Sequence, residues 1–142
     1  MILPDINLLI YAYNVRAPQH RKALVWWNRC LEGHEGVALA WVVIQGFVRI
    51  TTHPKVFEHP MTVGEAVGRV EEWLSRPHVQ VIHPAPTHFQ TWSSLLKNLG
   101  SAGSLTTDAH LAALAMERAL VLYSNDADFS RFPGLKWKNP LI

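Results

Sequence analysis

Short apolar runs separate longer stretches of helical periodicity along this chain. Met1-Ile2-Leu3, Val37-Ala38-Leu39-Ala40, Val79-Gln80-Val81-Ile82 and Leu120-Val121-Leu122-Tyr123 predict four strands, with Leu135-Lys136-Trp137 a candidate fifth. A helix is expected over Leu8 to Tyr13, starting just after Asp5, and another from Pro18, which suits a first helical turn, through Gln19 to Leu31, stopped by Gly33. Trp41 to Ile50 has the β-branched content of a strand, but Val42, Gln45, Gly46 and Arg49 recur at helical spacing, and helix is the reading chosen. Thr62-x-x-Glu65 is a capping box ahead of an apolar face of Val63, Ala66, Val67, Val70, Trp73 and Leu74. Pro86 introduces a helix with Phe89, Trp92, Leu95, Leu96 and Leu99 along one side, closed by Gly100. After the Gly100 to Ser104 loop, Ala109 to Arg118 has high helix propensity and Asp108 opens it.

Strands alternating with helices imply parallel pairing, and so an α/β fold: a three-layer α/β/α sandwich around a central, mainly parallel sheet of four or five strands. With 142 residues and no linker or internal repeat, residues 1–142 are expected to form one domain. The lone Cys30 excludes an internal disulfide and any paired-cysteine zinc pattern. Asp5 interrupts the apolar start before it could span a bilayer, so a cytoplasmic protein with no membrane partner is expected.

Four aspartates carry the candidate chemistry: Asp5, Asp108, Asp126 and Asp128. Asp5 and Asp126 follow predicted strands, and ligand sites of open α/β sheets lie beyond the carboxyl ends of strands at a topological switch point. Like charges about 4 Å apart repel by roughly 4 kcal/mol at an effective dielectric near 20, so a gathered set calls for a cation or raised pKa values. For any one of them a helix cap or turn is an equally good reading; the set favours function. If the four share a pocket, 13 lysines and arginines face seven glutamates elsewhere, a balance suited to a phosphodiester backbone.

Three segments carry a resemblance: Pro4-Asp5-Ile6-Asn7-Leu8-Leu9, Thr107-Asp108-Ala109-His110-Leu111-Ala112-Ala113-Leu114-Ala115 and Ser124-Asn125-Asp126-Ala127-Asp128-Phe129. In this order they resemble the acidic motifs of the PIN domain, and especially those of VapC toxins of bacterial toxin-antitoxin systems. Thr51-Thr52-His53-Pro54 resembles the string that marks a VapC subgroup. The resemblance implies a Mg²⁺- or Mn²⁺-dependent endoribonuclease, homodimeric and blocked by a VapB-like antitoxin. It implies Asp5, Asp108 and Asp126 as metal-site acids, Asp128 as a fourth, indirect contributor, and Asn7 and Ser124 as polar residues that orient the acids or hold a water beside the metal. A helix-start cap for Asn7 and a turn hydroxyl for Ser124 are the local alternatives. PIN nucleases usually carry a glutamate on the helix after the second strand, and here Gly46 stands at that position. Gln45 could offer an amide oxygen but no charge. This departure supports a rival reading, a catalytically weak PIN-like module that binds RNA or antitoxin.

Other features add less. The eight histidines contain no H-E-x-x-H pattern or other i, i+4 pair, and His110, two residues after Asp108 on a helix, is expected to pack or face solvent. Arg49, a turn beyond Gln45, is a candidate for RNA phosphate or a solvated charge. Adjacent Trp26 and Trp27 cannot share one core stripe, whereas Trp41, Trp73 and Trp92 are expected in the core.

Overall fold

The computed structural model describes residues 1–142. The strands β1 (Ile2–Pro4), β2 (Val37–Ala40), β3 (Val79–Ile82), β4 (Val121–Tyr123) and β5 (Trp137–Lys138) form one sheet in the order β3-β2-β1-β4-β5, every pair parallel. Helices α1 (Ile6–Tyr13), α2 (His20–Glu32), α3 (Trp41–Thr51) and α4 (Val63–Leu74) occupy the connections from β1 to β3, while α5 (His88–Leu99) and α6 (Leu105–Glu117) connect β3 to β4. The first set of crossovers runs from β1 outward and the second runs back past β1. Right-handed crossovers in opposite directions place the two helix groups on opposite faces, giving the expected α/β/α layers.

β1 and β2 are buried throughout, as the helices covering both faces of a parallel sheet require. Ile2 donates to Gly36 O on the β2 side, and by the strand's period of two Pro4 would point the same way. Lacking an N–H, Pro4 ends that ladder, while the β4 side continues through Ile2, Leu3 and Pro4 opposite Val121, Leu122 and Tyr123, and Asp5 N donates to Tyr123 O at 2.8 Å. The carboxyl ends of β1 and β4, neighbours at the switch point, are thus locked in register.

The helical reading of Trp41 to Ile50 holds because one face is core: Val43, Ile44 and Phe47 are buried, and the buried Thr51 hydroxyl donates to Phe47 O at 2.7 Å. Trp41 itself is 51% exposed, against the expectation of core packing, because it heads the helix off that face. Trp27 and Trp73 are buried and meet edge to face, 5.3 Å between ring centroids, while Trp26 is only half-buried, so the pair at 26 and 27 does divide. Helix α6 starts a turn earlier than its propensity suggests, at Leu105, which is buried; Asp108 therefore lies in its first turn rather than before it. The fifth strand falls at Trp137–Lys138, two residues beyond Leu135. No helix is long and apolar enough to cross a membrane.

Candidate metal centre

The chain turns sharply after β1 and after β4, and both turns are built by aspartates. Asp5 is the N-cap of α1: its Oδ1 accepts from Ile6 N at 2.7 Å. Asp126 caps a 3₁₀ turn, Ala127–Arg131, by accepting from Asp128 N at 2.9 Å, which folds Asp128 back beside it. From across the sheet end, the first turn of α6 delivers Asp108. One carboxylate oxygen from each of Asp108, Asp126 and Asp128 lies within 4.8 Å of the others.

Asp5 stands outside that trio. Its Oδ2 accepts from the Ser124 hydroxyl at 2.7 Å, and the residue is only 6% exposed. Ser124, fully buried, also accepts from Asn7 Nδ2 at 3.2 Å and from Asp126 N at 3.0 Å. One donor and two acceptor positions are thereby all used. Ser124 is a hub, and Asn7 braces it; Asn7 Oδ1 also receives Asn125 N at 3.5 Å. Ser124 therefore contacts Asp5 and Asp126 directly, and Asn7 reaches them only through Ser124. The sequence put Asp5, Asp108 and Asp126 at the metal site with Asp128 as a fourth contributor; the three whose oxygens come within 4.8 Å of one another are Asp108, Asp126 and Asp128, and the nearness of Asp128 depends on the 3₁₀ turn, while Asp5 acts on Asp108 from alongside.

Electrostatics mark the same place. Asp108 is pushed up to about 6, first by burial and then by the charges of Asp5, Asp126 and Asp128. Burial also raises Asp5, against the lowering effect of its bonds to Ser124 and Ile6, with Asp126 adding to the rise. Hard divalent cations take carboxylate oxygens, and a half-exposed cluster of repelling carboxylates fits one.

Beside Asp5 is a cavity of 150 Å³ lined by Ile6, Val42, Val43, Gly46, Arg49, Thr107 and Leu111 as well. Gly46 lines this cavity, and a Cβ there would come within 2.2 Å of Ile6 Cδ1. Ile6 has filled the missing side chain's space. Gln45 is exposed and does not line the cavity, so it supplies no substitute. Arg49 does line it and is the one cation at this wall. His110, expected to pack or face solvent, packs half-buried against His88 and is hydrogen-bonded to it, and His88 in turn binds Glu117; sequence reasoning missed both partners. His110 and Glu117 are seven apart on α6, two turns on one face, which was a legible signal; His88 was not.

This all-parallel sheet, with acids gathered beyond the ends of β1 and β4, is the frame of an α/β protein with a candidate cation site, and the chain belongs to the PIN domain family: the PIN domain model matches residues 2–135. Within it the chain falls among the VapC proteins. It is 43% identical over 141 residues to Ribonuclease VapC33 of Mycobacterium tuberculosis, covering 99% of each. Among solved structures it is similar to VapC20 of Mycobacterium tuberculosis, described as a sarcin-ricin loop cleaving toxin, with a TM-score of 0.68 at 20% identity over 96% of this chain and 99% of that one. It also resembles a chain of a toxin-antitoxin complex from Klebsiella pneumoniae, TM-score 0.66 at 17% identity, covering 99% and 98%.

Proposed function

We propose that this protein is a metal-dependent endoribonuclease, the toxin of a VapBC-type pair. The observation that carries this reading is the convergence of Asp108, Asp126 and Asp128 within 4.8 Å at the carboxyl end of the sheet, beside the buried Asp5. The ribonuclease names of its full-length relatives support it.

Asp108, Asp126 and Asp128 would hold one Mg²⁺ or Mn²⁺, with Asp5 supplying charge alongside. Such a cation, when bound, supplies water activation and charge neutralisation at a phosphate. The residues do the rest. Ser124 and Asn7 fix Asp5 and the Asp126 backbone in one arrangement, so the acids need not reorganise when substrate arrives. Arg49, exposed at the cavity rim, is placed to meet an RNA phosphate. No side chain is needed as a covalent nucleophile, and the products would carry 5′-phosphate and 3′-hydroxyl ends. A VapB-like antitoxin and a second copy of the chain are the proposed protein partners.

The rival, a binding module that cuts weakly or not at all, is favoured by one observation: Ile6 closes the space of the missing glutamate. Incubation with total cellular RNA plus Mg²⁺, Mn²⁺ or chelator separates the two. Cation-dependent cleavage that Asp5→Asn abolishes while the mutant keeps its fold supports the enzyme. Cleavage undiminished by that substitution, or by chelator, rejects it.

A further inference from the structure

We infer that the cavity between α5 and α6 is a nucleobase subsite, which takes an unpaired RNA base flanking the scissile phosphate and reads it with His110. This rests on RNA being the substrate of the adjacent acids.

The cavity measures 340 Å³ and is lined by Val42, His88, Trp92, Thr106, Thr107 and His110. That is near the lower end of the roughly 300–1,000 Å³ of small-molecule sites, room for one base with part of its sugar. Val42 and Thr107 also line the cavity beside Asp5, and Thr107 precedes Asp108. The two hollows therefore share a wall. A strand with a phosphate at the acids has a neighbouring base within reach of this space.

Its polar anchor is held by a chain of side chains, starting from a carboxylate that is 4% exposed. Glu117 accepts from Ala85 N at 3.0 Å through Oε2 and from His88 Nδ1 through Oε1. His88 Nε2 then shares a hydrogen bond of 2.8 Å with His110 Nδ1, the rings edge to face at 4.8 Å. Both nitrogens of His88 are thus committed, and His110 is left with Nε2 as its one unbonded ring nitrogen, at a cavity it lines. Burying a carboxylate beneath two half-buried imidazoles is a poor way to stabilise a fold, since apolar residues of similar volume do as well or better. What the chain does achieve is one fixed orientation of His110.

The remaining walls suit a flat ligand. Trp92 is held by its indole N–H donating to Thr106 O at 3.0 Å, so its ring is a rigid surface; the exposed Phe89 lies 6.0 Å from it. Protein recognition of single-stranded RNA uses this pairing of a stacking surface with polar groups on a base edge. A fixed imidazole nitrogen discriminates among bases because each presents donors and acceptors in a different pattern.

Two measurements on the full chain test the subsite. Titration with AMP, GMP, CMP and UMP, followed by NMR, should give saturable shifts of the Trp92 indole and His110 ring signals, with affinities differing by about 5-fold or more across the four. Cleavage-site mapping on an RNA library with a randomised loop should show a base preference at one position flanking the cut, which His110→Ala relaxes by about 5–10-fold while Mn²⁺ binding persists. Absence of saturable shifts, or an unchanged preference in folded His110→Ala, overturns the subsite. Should the wild type cut no RNA yet bind nucleotides selectively at these two residues, the ribonuclease reading falls and the base site stands.

Discussion

The Ser124 hydroxyl donates to Asp5 Oδ2 at 2.7 Å across 119 positions of sequence, tying the turn after β4 to the turn after β1. Because that hydroxyl also accepts from Asn7 and from Asp126 N, one buried atom sets the geometry of two acids. Ser124→Ala should leave a buried carboxylate oxygen without its donor, at a cost of about 1–3 kcal/mol. Urea denaturation measures it. A loss below about 0.5 kcal/mol would mean that Asp5 finds another donor.

The acid cluster predicts a pH dependence. Asp108, raised to about 6 by burial and then by Asp5, Asp126 and Asp128, keeps a proton in the folded, cation-free protein that the unfolded chain has already released. Stability from a raised acid is complete below the unfolded value of 3.8 and is lost as pH rises through about 6. Asp5 acts in the same direction, whereas His110, lowered chiefly by burial, acts in the opposite one. The comparison with Asp108→Asn isolates the aspartate. Without cations, the Tm of wild type relative to Asp108→Asn should fall between about pH 4 and pH 7. A difference constant over that range contradicts the assignment.

Cation binding should rank the acids. Mn²⁺ is expected to raise the Tm of wild type more at about pH 7 than at pH 5, where Asp108 is protonated. Asp126→Asn and Asp128→Asn should abolish that shift. Asp5→Asn should weaken affinity by about 10–100-fold, the range for a residue acting beside the ligands, since Asp5 stands next to the trio of oxygens within 4.8 Å rather than in it. Loss as complete as that in Asp126→Asn would place Asp5 among the ligands.

Gly46 and Ile6 should behave as a coupled pair. Gly46→Glu alone drives its Cβ against Ile6 Cδ1, so destabilisation of about 1–3 kcal/mol is expected despite the gain in helix propensity. Ile6→Val removes that methyl. The double variant Gly46→Glu with Ile6→Val should recover most of the loss and bind Mn²⁺ more tightly than wild type, by calorimetric titration. Unchanged affinity in the folded double variant would show that position 46 does not address the metal site.

What the sequence determined by itself is what local patterns can carry. Period-2 and period-3.6 patterning, the Thr62 and Glu65 capping box and the Gly33 and Gly100 stops specify φ, ψ and burial within a few residues, and the strands and helices follow. The acids were legible too, Asp5 and Asp126 as residues after strands and Asp108 as the start of a helix, and the motif resemblance placed them in one family. Tertiary structure decided how they combine. Asp128 joins the trio through a 3₁₀ turn, and Asp5 meets Ser124 only because β1 and β4 are neighbours in the sheet. Trp41, which shares its residue type with the buried Trp73, is left exposed at the head of α3. Ile6 fills the space over Gly46, and His88 meets both His110 and Glu117, through helix packing that brings distant positions to one point. Spacing along a chain reports which face a residue takes on its own element; which face of another element it meets depends on sheet order and helix docking, and those are set by the burial of the whole core.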